Sequence, residues 1–175
     1  MQTSDVINET KQWVENVVIG LNLCPFAKKE FIKERILFSV TDAKNEEELL
    51  MDLKAELEAI QSNYNIETTL LVHPYVLGDF YDYNDFLSLA DSLLNEMELE
   101  GVYQIASFHP NYQFADTLPD DIINYSNKSP YPMLHILAEE SVEKAVETYP
   151  DIGSIPENNI KKLESIGLEG IKKLL

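Results

Sequence analysis

The sequence holds a single cysteine, Cys24, so no disulfide can form within the chain. At 175 residues it does not need one, because a domain of this size buries roughly two thirds of the surface its unfolded form exposes. One domain over residues 1–175 is expected. Cations are scarce: 13 Lys and Arg stand against 31 Asp and Glu, a formal charge of -18. That charge opposes approach to nucleic-acid phosphates or an anionic membrane face, so neither is expected as a partner and a small-molecule ligand is. No apolar run reaches the roughly 18 to 20 residues that cross a bilayer. The opening "MQTSDVINETKQW" is too polar for a signal peptide, and a cytoplasmic protein is expected. Glycine-rich phosphate loops, HExxH and CxxC are all missing, which leaves no local motif for nucleotide or metal chemistry.

What is present is periodic. Apolar residues at Val6, Ile7, Val14, Val17, Val18 and Leu21 have helical spacing, with Ser4 or Asp5 to cap them. "RILFSV" (35–40), "TTLLVHP" (68–74) and "VYQIASFHP" (102–110) read as three β-strands. Between them, Asn45 with Glu48 opens a helix whose stripe is Leu49, Leu50, Leu53, Leu57 and Ile60, and Asn84 opens another through Leu87, Ala90, Leu94 and Met97. Residues 129–150 are expected to form a fourth helix, and Ser154 with Glu157 starts a last one to about Gly167. Strands joined through helices predict an α/β fold with a small, mainly parallel three-stranded sheet; an α+β two-layer sandwich with one strand reversed is the alternative.

Two strands end in the same dipeptide, His73-Pro74 and His109-Pro110. In a parallel sheet both would leave at the carboxyl edge, where ligands bind in such folds, with each proline bracing the ring before it. The plainer reading is a pair of strand-end histidines bonded to nearby backbone. His135, expected in the first turns of the fourth helix, would lean back toward the loop before it or pair with Glu139. Cys24 precedes Pro25 in "CPFAKKEF", where a helix N-cap would sit, and Lys28, Lys29, Lys33 and Arg35 lie nearby. Both features favour a thiolate, the form that serves as nucleophile or ligand; the alternative is a cysteine that simply packs.

The segment 111–129 is long for an unstructured connection, yet its Tyr112, Phe114 and Tyr125 argue for a packed excursion. Thr117 could open a short helix over 119–126, which would leave Asp116 as the free carboxylate nearest His109. Asn111, Tyr112, Asn127, Lys128, Ser129 and His135 are candidate substrate contacts, with turn and cap chemistry the competing role for the polar ones. The expected catalytic set is Cys24, His73, His109 and Asp116, suited to hydrolysis or group transfer, with a divalent metal such as zinc as a possible cofactor. A binding module for a polar metabolite and a protein-interaction domain are the rival readings.

At "VIGLNLCPFA", "TTLLVHP", "YNDFLSLADSLL" and "GVYQIASFHPNYQFADTLPDDIINYSNKSPYPMLHILAEESVEKAV", the chain resembles the bacterial and plant family known as domain of unknown function 1415, over about residues 13–167. The resemblance implies kinship and brings no activity with it.

Overall fold

A computed structural model of the chain describes residues 2–149 and 151–175. A four-stranded sheet of order β1-β2-β4-β3 carries helices on both faces. Strands β1 (Ile36–Val40) and β2 (Thr68–Val72) are parallel and joined through α3 (Glu46–Ser62). From β2 the chain passes through α4 (Phe80–Glu96) to β3 (Tyr103–Phe108), which runs in the same sense but one place further out. The gap is filled by β4 (Met133–Ala138), antiparallel to both neighbours.

The sheet is therefore mixed and four-stranded, not three-stranded and mainly parallel. The expected helix over 129–150 is instead β4 followed by α5 (Glu139–Thr148); Pro150, the end of that segment, lies outside the described residues. "MLHILA" is a short apolar run, and period alone does not separate a buried strand from a buried helix at that length. Placed between β2 and β3, β4 has both faces covered, so Met133, Leu134 and Ile136 are all fully buried and the alternation of a one-sided strand is lost. Prolines at 130 and 132, poor company for a helix interior, were the local sign. A reversed strand was part of the α+β alternative, and here it is a central one.

On one face, Leu49, Leu53, Leu57 and Ile60 of α3 and Tyr83, Phe86, Ala90, Leu93 and Leu94 of α4 pack on Leu71, Leu134 and Ile136. The other face is covered by α1 (Thr3–Trp13), which continues into a π-helical turn (Val14–Ile19), and by α6 (Ile155–Ile166) and α7 (Leu168–Lys172). These pack Val6, Trp13, Val17, Leu163 and Ile171 against Leu70, Val72 and Met133. Asn45 caps α3 as expected, accepting the Glu48 N–H at 2.9 Å.

Other helix ends differ. The first helix begins at Thr3, after Gln2, and α4 is capped by Asp79, which accepts from the Tyr81 and Asp82 N–H groups, not by Asn84. Ser154 holds the N-cap position of α6 as expected, but its hydroxyl donates to the Asp151 carbonyl and no capping box forms with Glu157. Helix α2 (Ala27–Ile32) starts three residues after Cys24, which is not its N-cap.

Candidate functional site

His73 and His109 do leave the sheet at the same edge, but β4 lies between their strands and the two rings do not meet. Both point to the α3/α4 face, and the ring of Tyr83 lies close to each, with centroids 5.7 Å from His73 and 5.0 Å from His109. The Tyr83 hydroxyl donates to the Met133 carbonyl (2.8 Å) and accepts the Phe108 N–H (3.1 Å), bridging β4 and β3 where their ladder ends.

The imidazoles face the turn that follows β2. Nδ1 of His73 lies 3.0 Å from the Val76 carbonyl and Nε2 of His109 lies 3.1 Å from the Leu77 carbonyl, so each of those nitrogens carries the proton it donates. Nδ1 of His109 accepts the Asn111 N–H at 3.0 Å, which fixes that ring as the neutral Nε2–H tautomer. Leu77 has φ +56°, a left-handed conformation that costs a non-glycine residue, and the two rings hold the carbonyls on either side of the Val76–Leu77 bond. Burial, the dominant cause, lowers the pKa of both rings, that of His73 to about 4. Nε2 of His73 is buried and without a hydrogen-bond partner.

The remaining candidates divide. Asp116 is exposed, at φ +62°, and among the described residues its carboxylate makes no hydrogen bond or ion pair; both ring nitrogens of His109 are engaged elsewhere. Asn111 touches His109 through its backbone. Tyr112 packs between Phe80 and Phe114, 5.1 and 5.0 Å from their rings. Asn127 donates from Nδ2 to the Ser107 carbonyl and accepts the His109 N–H through its own, tying the loop to the end of β3. Lys128, nearly buried, donates from Nζ to the Pro119 carbonyl at 2.9 Å and sits 4.4 Å from the Tyr125 ring centroid. Burial lowers its pKa, with Asp120 opposing. The Ser129 hydroxyl donates to the Tyr131 carbonyl.

His135 lies on β4, not on a helix. Its Nε2 is 2.7 Å from the Thr68 hydroxyl, which itself donates to the Ile136 carbonyl, so the ring donates to Thr68. Burial lowers its pKa to about 4. The organiser of the 111–129 loop is Asn124, fully buried: Oδ1 accepts the Phe114 N–H and Nδ2 donates to the Leu118 carbonyl. The expected short helix is a 3-10 turn, Ile122–Ser126.

Cys24 lies across the sheet from the histidines. Successive residues at the end of β3 face opposite ways: His109 packs on Phe80 and Tyr83, whereas Phe108 packs on Trp13. Phe108 and Cys24 share a partly open cavity of about 410 Å³, lined further by Val18 of the π-helical turn, by Leu23, by Phe114, Ile123, Ser126 and Asn127 of the long loop, and by Ile155, Pro156, Asn159, Ile160 and Leu163 of α6. Its walls are predominantly apolar. A shape of this size and lining matches small-molecule sites in general.

The π-helical turn shapes one wall. Its wider bore needs Gly20, because a Cβ there would stand 2.3 Å from the Asn16 carbonyl oxygen. A second hollow, about 540 Å³ and open to solvent, lies at the carboxyl ends of β1 and β2 between residues 44–47, residues 76–78 and Asp82.

The structure thus brings Cys24 and Asn127 to one cavity, sets His73 and His109 about Tyr83 on the opposite face, and leaves Asp116 apart from both. Among the described residues no three His, Cys, Asp or Glu side chains converge to hold a metal ion, so the suggested zinc finds no ligand set there. None of the described helices is long and apolar enough to cross a membrane. That Val18, Phe108, Phe114 and Asn159 would share a cavity was not legible in the sequence, because residues from four remote segments form no motif. No curated protein and no solved structure matches this chain. The model of one family, described as Protein of unknown function (DUF1415), matches residues 5–173, nearly the whole chain, and the protein belongs to that family.

Proposed function

We propose that the protein binds a small, largely apolar molecule in the cavity between the π-helical turn, the 111–129 loop and α6, with the Cys24 thiol and the Ser126–Asn127 edge as its polar side. The observation that carries this is the cavity itself: about 410 Å³, apolar on most of its wall, and built from segments remote in sequence. An apolar body is favoured over a polar metabolite because the polar side chains at the wall already have partners within the protein. Ser126 donates to the Ile123 carbonyl or to Asn127 Oδ1, and Asn159 donates to the Leu23 carbonyl.

Binding is favoured over hydrolysis or group transfer because such chemistry at Cys24 wants a base beside the thiol. His73 and His109 lie on the other face of the sheet, and His135, whose ring stands 5.9 Å from that of Phe108, is bonded through Nε2 to Thr68 and does not line the cavity. The test is titration of the full chain with the neutral fluorophore N-phenyl-1-naphthylamine, followed by iodoacetamide labelling of Cys24. Saturable binding that slows labelling is expected, and Val18→Trp, which fills the cavity, should abolish both effects while the chain stays folded. A folded protein that takes up no fluorophore, or takes it up equally well as Val18→Trp, would exclude this site.

A further inference from the structure

Helix α6 packs on the Ile122–Ser126 turn, but its first half sends no residue into the core. Between residues 139 and 162 no described residue is buried, and the next inward anchors, Leu163 and Ile171, are both fully enclosed. Ile155, Pro156 and Ile160 are not bedded in the core; they form part of the cavity wall. Among the described residues one hydrogen bond ties this half-helix to the cavity's far rim, Asn159 Nδ2 to the Leu23 carbonyl at 2.9 Å. Beside it the Tyr149 and Phe26 rings meet edge to face at 5.7 Å. Gly153 precedes the helix and Gly167, at φ +72°, ends it. Segments with few buried apolar contacts open locally at a small fraction of the cost of global unfolding.

We propose that residues 155–160 are a lid on this cavity, pivoting about Leu163 and latched by Asn159 to the residue before Cys24, so that opening the latch admits the ligand. The proposal rests on the binding reading above. Breaking the latch exposes the Cys24 side of the cavity without touching either core, since Leu163 stays seated between the sheet and α7. Ligand bound beneath Ile155 and Ile160 would hold the lid down, because closing over it restores the contacts that the empty cavity lacks.

Hydrogen–deuterium exchange read by mass spectrometry on the full chain tests the lid without any ligand. Amides of residues 155–160 are expected to exchange well before those of β2 and β4. Asn159→Ala should speed their exchange about fivefold, the effect of losing one ordinary hydrogen bond, while β4 is unchanged. Glu164→Gln, exposed on the same helix, should alter neither. Added N-phenyl-1-naphthylamine should slow exchange at 155–160, and its association rate should rise in Asn159→Ala. Exchange at 155–160 that keeps pace with β4, or that ignores Asn159→Ala, overturns the lid. Local exchange in a chain that binds no fluorophore keeps the hinge and overturns the binding reading instead.

Discussion

Tyr83 shows how much one side chain carries. Its ring separates two buried histidines, and its hydroxyl replaces direct contact between the ends of β3 and β4. Tyr83→Phe removes that hydroxyl and leaves the half-buried Phe108 N–H and the buried Met133 carbonyl without their shared partner, which should cost about 1 to 3 kcal/mol in urea denaturation. His73 predicts a pH dependence. Its ring takes a proton near 6.5 when unfolded and only at about 4 when folded, so the unfolded chain binds the extra proton throughout that window. Stability is complete above about pH 6.5 and falls toward about pH 4, by on the order of 3 kcal/mol for this residue alone. His135, lowered by burial in the same direction, adds to the slope. Urea midpoints that stay level from about pH 6.5 to about pH 5 would contradict this account.

At the scale of elements, two local features can be separated from the packing. The N-cap of α3 is an independent unit: Asn45→Ala should lower stability by about 1 kcal/mol with no effect on fluorophore binding, because α3 lies on the face opposite the cavity. The π-helical turn is coupled to the site. Gly20→Ala forces a Cβ onto the Asn16 carbonyl, so either the turn relaxes toward α-helical pitch or the helix end shifts, at about 1 to 3 kcal/mol. Because Val18 is part of the cavity wall, fluorophore affinity should fall in the same variant, and a destabilised protein with unchanged affinity would show that the turn does not shape the cavity. Helices α3 and α4 and strands β1, β2 and β3 were all legible, each announced by its own period and bounded by turn residues. Strand β4 was not, because a central strand with two buried faces loses the alternation that identifies a strand.

Over the whole molecule, a charge of -18 on 175 residues means that folding compresses mutually repelling carboxylates. Few ion pairs among the described residues relieve this: Arg35 engages Glu30 and Glu67 at one end of the sheet, Lys144 and Lys161 each pair with a glutamate one turn earlier, and Lys29–Glu30 and Lys172–Asp120 are longer, at 3.7 Å. Raising salt from about 0.02 to about 0.2 M shortens the screening length from roughly 20 to roughly 7 Å and should raise the melting temperature, most at low ionic strength. A melting temperature that falls with added sodium chloride would mean the attractive pairs outweigh the repulsion.

The sequence by itself determined the period of most elements, the mixed helix-and-strand class, the acidic surface and the family, because each depends on neighbours along the chain or on composition alone. It also marked His73 and His109 as alike, two strand exits at one edge. Only the tertiary structure decided that β4 would stand between them and that Tyr83 would fill the space, turning two apparent partners into two clamps on the 76–77 backbone. The pleat at the end of β3 sends Phe108 and His109 to opposite faces, and the long loop and α6 fold over Phe108, which places Cys24 beside an apolar cavity on the face away from His73 and His109. Which side chains meet depends on strand order, and strand order is set by long-range pairing that no local pattern encodes.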